Sequence, residues 1–231
     1  MSRLATFVIG LALLAGLIDG IAQPAPRARS YNILTVDYRP SHVAVVGDSY
    51  TTGTDEGGLG PKSWPVRAGQ ALAGRGMRIS ADVAAEGRAG YGVRGDHGSF
   101  FEDLAPRAVR PDDALVVFFG SRNDQGVDPA LLDGMVRGTF DLARRAAPSA
   151  RFLVIGPPWP SADVPESMLQ IRDVLNAAAH AAGAAFVDPI GDGWFVDRPD
   201  LIGEDGVHPN DAGHEYLADK IAPLIRTQLT R

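Results

Sequence analysis

The sequence predicts an α/β domain of three layers, α/β/α, on a mostly parallel five-stranded sheet. Three observations predict it. From about residue 40 short apolar runs alternate with longer helix-like stretches, and several of the runs are apolar on both faces, as strands covered by helices on both sides must be. At 231 residues and 45% hydrophobic composition, the chain is also long and apolar enough for one domain with a sizeable core.

The strands read in order as "HVAVVG" (42–47), "RISADVAA" (78–85), "ALVVFFG" (114–120), "RFLVIG" (151–156) and "AAFVDP" (184–189). Between and after them, helical periodicity falls at 63–74, 129–147, 165–182 and 211–228, with a weaker stretch at 98–105. In the last helix Leu217, Ile221, Leu224 and Ile225 share one face, and Asn210 or Asp211 can cap its start. Trp64 opens the first helix and reads as core.

Ahead of this domain, Arg3 is followed by an uncharged apolar run from Leu4 to Ile18 and by small residues ending at Ala22. That order predicts a secretory signal over 1–22, with an uncleaved membrane anchor as the alternative. The Pro- and Arg-containing stretch 23–40 reads as a linker, leaving 41–231 as the folded domain in a secreted or extracytoplasmic protein, tethered to a membrane in the anchor alternative. A net charge of -6 with scattered arginines offers no basic track for phosphates, so nucleic acid is not expected as a partner. Without any cysteine the chain has no disulfide, no thiolate nucleophile and no Cys-ligated metal.

Chemistry-bearing residues gather at the ends of the predicted strands, where ligands of open parallel sheets bind. After the first strand comes "GDSYTTG", which presents Ser49 in a turn that Asp48 can stabilise. After the second comes the glycine-rich "EGRAGYG", and after the third "SRND", with Asn123 and with Asp124 either bracing that loop or solvated. Before the last helix, "GEDGVHPND" sets Asp205 three residues ahead of His208, close enough to hold one ring nitrogen while the other faces a hydroxyl. His214, six positions further on, reads as a surface or packing residue. A metal site from Asp48, Asp205, His208 and His214 is a chemical rival, but it would leave Ser49 and Asn123 unexplained.

"GDSYTTG", "GRAGYG", "GSRND" and "DGVHPN", in this order across 47–210, resemble the four signature blocks of the SGNH (GDSL-type) hydrolase superfamily. The resemblance implies a flavodoxin-like α/β/α fold and cleavage of esters through an acyl-serine intermediate, with acyl transfer or mere binding on the same scaffold as alternatives. It implies Ser49 as nucleophile, His208 as general base and Asp205 as the residue that orients it. The oxyanion donors it implies are the N–H of Ser49, the N–H of a second-block glycine (Gly90 in preference to Gly87) and the amide of Asn123. Two departures stand out. Tyr50 replaces the family's usual Leu, and the third block is one residue longer between Gly120 and Asn123 than its commonest form. No cofactor is implied. The expected partner is a small-molecule, lipid or carbohydrate ester met by a monomer. Trp194 and Trp159, in long rim segments, are candidates to wall the substrate pocket, whereas Phe195 reads as core.

Overall fold

The computed structural model describes residues 39–231, so the expected signal or anchor and nearly all of the linker lie outside the described residues. Among the described residues, no helix is long and apolar enough to cross a membrane.

The strands are β1 (Ser41–Gly47), β2 (Ile79–Ala85), β3 (Leu115–Phe119), β4 (Arg151–Ile155) and β5 (Ala185–Val187). They form one sheet in the order β2-β1-β3-β4-β5, and every neighbouring pair is parallel. The helices are α1 (Ser49–Thr52), α2 (Trp64–Gly74), α3 (Phe101–Ala108), α4 (Pro129–Ala146), α5 (Glu166–Ala181) and α6 (Asp211–Thr230).

Successive side chains on a strand face opposite sides, and here both sides are covered. Val43, Val45, Val117 and Phe119 pack with Trp64 and Leu72 of α2 and with Leu217 and Ile221 of α6. Ala44, Val46, Val116 and Phe118 pack on the other side with Leu104 of α3, Phe140 of α4 and Leu175 of α5. That is why the central strands read as continuous apolar runs. Edge strand β2 is largely exposed, which matches its more polar sequence "ISADVAA".

This winding fixes where a ligand can enter. The chain leaves β1 for β2 by way of α2, then crosses back past β1 to β3 by way of α3 on the opposite face. Loops after β1 and β3 therefore diverge, opening a crevice at the C-terminal edge of the sheet. Gly47 pairs with both Ala85 and Phe119, so the loops after β1, β2 and β3 start level with one another.

Two elements differ from expectation. β5 stops at Val187 because the Asp188 carboxylate accepts the N–H groups of Ile190 and Gly191 and turns the chain. The weak helix begins at Phe101 rather than residue 98, where Asp103 accepts the Phe100 N–H at 3.0 Å and closes the first turn.

Candidate active site

β1 ends at Gly47, and Asp48 caps the short helix α1 that follows, its Oδ1 accepting the Tyr50 N–H at 2.9 Å. Burial pushes the Asp48 carboxyl up to about 7, against the pull of the Tyr50 and Ser121 N–H groups. Ser49 follows at the head of that helix. Tyr50 lies beneath it, buried edge-on against Phe119, with its hydroxyl donating to the carbonyl of Val207 at 2.5 Å. The turn that carries Ser49 is thereby tied to the loop that carries His208. Burial raises the Tyr50 hydroxyl well above its ordinary range, so it stays protonated and keeps donating.

On the facing loop, Asp205 accepts the N–H groups of Val207 and His208 through Oδ1, at 2.8 and 2.9 Å, which shapes a tight turn. Its Oδ2 lies 2.5 Å from His208 Nδ1, and His208 Nε2 lies 3.0 Å from Ser49 Oγ. Burial opposes ionisation of Asp205, yet the hydrogen bonds from the His208 ring and the two N–H groups win and hold its carboxyl below the usual range. An ionised Asp205 keeps a proton on Nδ1 and leaves Nε2 free to accept from the serine.

The loops after β2 and β3 form the other wall. Asn123 donates one amide hydrogen to the Ala89 carbonyl at 2.9 Å, which fixes the plane of the amide and leaves its second hydrogen uncommitted to any described residue. Asp124, left open between a brace and a solvated charge by sequence, is fully buried. It accepts from the N–H groups of Tyr91 and Gly92, at 2.9 and 2.8 Å, and from the Ser121 hydroxyl at 2.6 Å. Burial raises its pKa, opposed by those bonds. The preference for Gly90 as an oxyanion donor needs correction, because its N–H donates to the Val93 carbonyl at 2.9 Å and is spent within the loop. Its lack of a side chain has another cause: a β-carbon there would run into the Asp124 carboxylate. Gly90 lets the brace close.

Comparison with known proteins decides the family. The model of the GDSL-like lipase/acylhydrolase family matches residues 45–216, and this span holds all four motifs. The chain belongs to the GDSL-like lipase/acylhydrolase family. It is an ester hydrolase by that membership. A curated relative, GDSL lipase Rv0518 of Mycobacterium tuberculosis (strain ATCC 25618 / H37Rv), is 72% identical over 232 residues, covering 99% of either chain. The crystal structure of TesA superposes with a TM-score of 0.67 at 23% identity over 82% of this chain and all of that one. The psychrotrophic esterase EstA from Pseudoalteromonas sp. gives 0.62 at 13% identity, over 83% of this chain and all of its own. These structures share the fold.

In this GDSL-like hydrolase the two rim tryptophans part company. Trp194 is not a pocket wall: it is 3% exposed and packs in the core with Phe195, Leu201 and Leu217. The sequence "GDG" ahead of it makes a turn whose reversal, closed by the Trp194 N–H on the Pro189 carbonyl at 3.0 Å, sends the ring inward rather than out to the rim. Trp159 is half-buried after β4, its Nε1–H donating to the Asp163 carbonyl at 2.9 Å and its ring under the Arg122 guanidinium. His214 is buried in α6, and among the described residues no group of three or more His, Asp or Glu side chains is placed to hold a metal ion. The roles of Tyr50 and Asp124 were not legible in sequence, since each acts through a partner more than 30 residues away.

Proposed function

We propose that this chain is an extracytoplasmic serine esterase in which Ser49, His208 and Asp205 form a catalytic triad. The observation that carries the proposal is the continuous line Asp205 Oδ2, His208 Nδ1, His208 Nε2, Ser49 Oγ, with gaps of 2.5 and 3.0 Å. Both fall within hydrogen-bond reach for nucleophilic activation.

Ser49 Oγ attacks the ester carbonyl carbon while His208 Nε2 takes its proton. Asp205 holds the ring in the required tautomer and stabilises the imidazolium. Negative charge on the carbonyl oxygen is met by the Ser49 N–H and the second amide hydrogen of Asn123, both available as fixed donors on short loops. On collapse, His208 returns the proton to the departing alcohol. Water then repeats the sequence on the acyl-serine, restoring free Ser49. Substrates of this reading are small-molecule, lipid or carbohydrate esters.

The test is covalent capture. A fluorophosphonate probe should label the protein at Ser49, as peptide mapping would show, and Ser49→Ala should abolish both labelling and ester turnover. Labelling at any other serine, or undiminished turnover in the variant, overturns the assignment.

A further inference from the structure

Arg122 stands next to Asn123 and takes no part in the hydrolysis just described. It lies in the stretch between Gly120 and Asn123 by which the third motif exceeds its commonest length. The backbone accommodates it with Ser121 in the left-handed region at φ 88°, so this side chain leaves the β3 loop while Ser121 and Asp124 stay locked together. Its guanidinium carbon lies 4.3 Å from the centroid of the Trp159 ring, and Trp159 is itself pinned through Asp163. The Arg122 charge favours the ionised forms of Asp48 and the Tyr50 hydroxyl, on the turn that carries Ser49, against the larger effect of burial.

What Arg122 lacks is a counter-charge. Like several arginines, Arg122 has no carboxylate within 4.0 Å among the described residues, but Arg107, Arg110, Arg144 and Arg151 satisfy their guanidinium groups on neighbouring oxygens instead. The Nη1 of Arg122 is enclosed and has no hydrogen-bond partner. An enclosed cationic donor with nothing to bond is costly, and a native protein that keeps one has a missing partner to account for. The missing partner here has a defined chemistry. A planar fork of N–H donors matches the paired oxygens of a carboxylate or phosphate, and stacking on an aromatic face holds the fork in one plane before a ligand arrives.

We propose that Arg122, seated on the Trp159 ring, is a specificity-determining residue that selects esters carrying a carboxylate or phosphate-type anion on the acyl side. The inference rests on the serine-esterase reading above. It also gives Trp159 a role distinct from an apolar wall: the ring aligns the guanidinium.

The experiment compares three 4-nitrophenyl esters of equal acyl length: the neutral hexanoate, the hemiadipate and the phosphonate analogue of the hemiadipate. Wild-type protein should favour the anionic esters, and the arm with the larger preference identifies which anion fits. Arg122→Gln should lower kcat/KM for that ester by about 10- to 100-fold, mainly through KM, as expected for loss of a charged hydrogen bond, and leave the hexanoate nearly unchanged. Arg122→Lys, which keeps the charge but not the fork, should recover part of the loss. Trp159→Leu should show the same selective loss, which keeps the proposal testable should Arg122→Gln fail to fold. No anionic preference in the wild type, or an equal fall on neutral and anionic esters, overturns the proposal. Fluorophosphonate labelling of Ser49, measured alongside, separates that outcome from failure of the esterase reading, since labelling persists in the first case and is absent in the second.

Discussion

His208 and His214 stand six residues apart at the entrance to one helix, and the molecule treats them in opposite ways. His208 sits on a turn at the rim, a quarter exposed, with Asp205 on one ring nitrogen and Ser49 on the other. His214 lies one turn inside α6, 1% exposed, with neither ring nitrogen partnered. Its ring fills the space beside Gly58, where a β-carbon would collide with it. Burial pushes its pKa down to about 4, and the nearby charge of Asp211 only partly opposes this. Spacing and residue type do not make a general base. On the proposed mechanism a general base needs an acid to orient one nitrogen, a hydroxyl to meet the other and enough water to exchange protons.

The strongest way to break this comparison is to remove each ring in turn. His208→Ala should lower kcat on a simple ester by about 10⁴- to 10⁶-fold, the range seen when one member of a triad is removed. His214→Gln should leave kcat at pH 7 within a small factor of wild type. Comparable losses in the two variants would mean that His214 takes part in the chemistry.

A finer version contrasts the acids beside the two rings. Asp205 is bonded to the His208 ring, while Asp211 is spent on the Gly58 N–H at 3.0 Å and on Lys62 at 2.5 Å. Asp205→Asn should cost about 10⁴-fold in kcat, because the amide favours the wrong imidazole tautomer. Asp211→Asn removes an exposed ion pair, worth no more than about 1 kcal/mol of stability, and should not change kcat. Equal kcat for Asp205→Asn and wild type would remove Asp205 from the triad.

The layers, the buried strands and the meeting of Asp205, His208 and Ser49 at one candidate site were legible because each depends on local pattern. Apolar runs identify buried strands, a cap residue identifies a helix start, and Asp205 and His208 meet within a single turn. Asn123 was legible from its place at a strand end. The misreadings share a different cause. Gly90 was preferred as a donor because "AGYG" matches the family's glycine followed by a short turn, but its N–H is taken by Val93 and its missing side chain answers to Asp124 on the neighbouring loop. Trp194 was placed on the rim because flexible residues precede it, yet a turn at Pro189 folds its ring into the core. In both cases the deciding partner belongs to the folded arrangement and leaves no trace in neighbouring sequence.

The last effect expected from the comparison is one of stability. In the unfolded chain His214 binds a proton near its ordinary pKa of 6.5, whereas in the folded protein it resists protonation until about pH 4. Between these values the unfolded state holds more protons, so stability rises with pH across the window and is lost as pH falls from 6.5 towards 4. Full protonation across that gap is worth roughly 2–4 kcal/mol, an upper range for a site that can relax. Asp48 works in the other direction: its folded carboxyl titrates near 7 rather than 3.8, so it favours the folded state at low pH and loses that advantage as pH rises through the same region. A wild-type profile alone would therefore mix two opposed slopes. The difference between wild type and His214→Gln removes the Asp48 contribution, which both proteins share. Urea unfolding at pH 7 and at pH 4.5 should show the wild type losing about 2 kcal/mol more than the variant on acidification. Parallel losses would mean that the His214 ring gains its proton in the folded state as readily as in the unfolded one, and the contrast with His208 would then rest on partners alone.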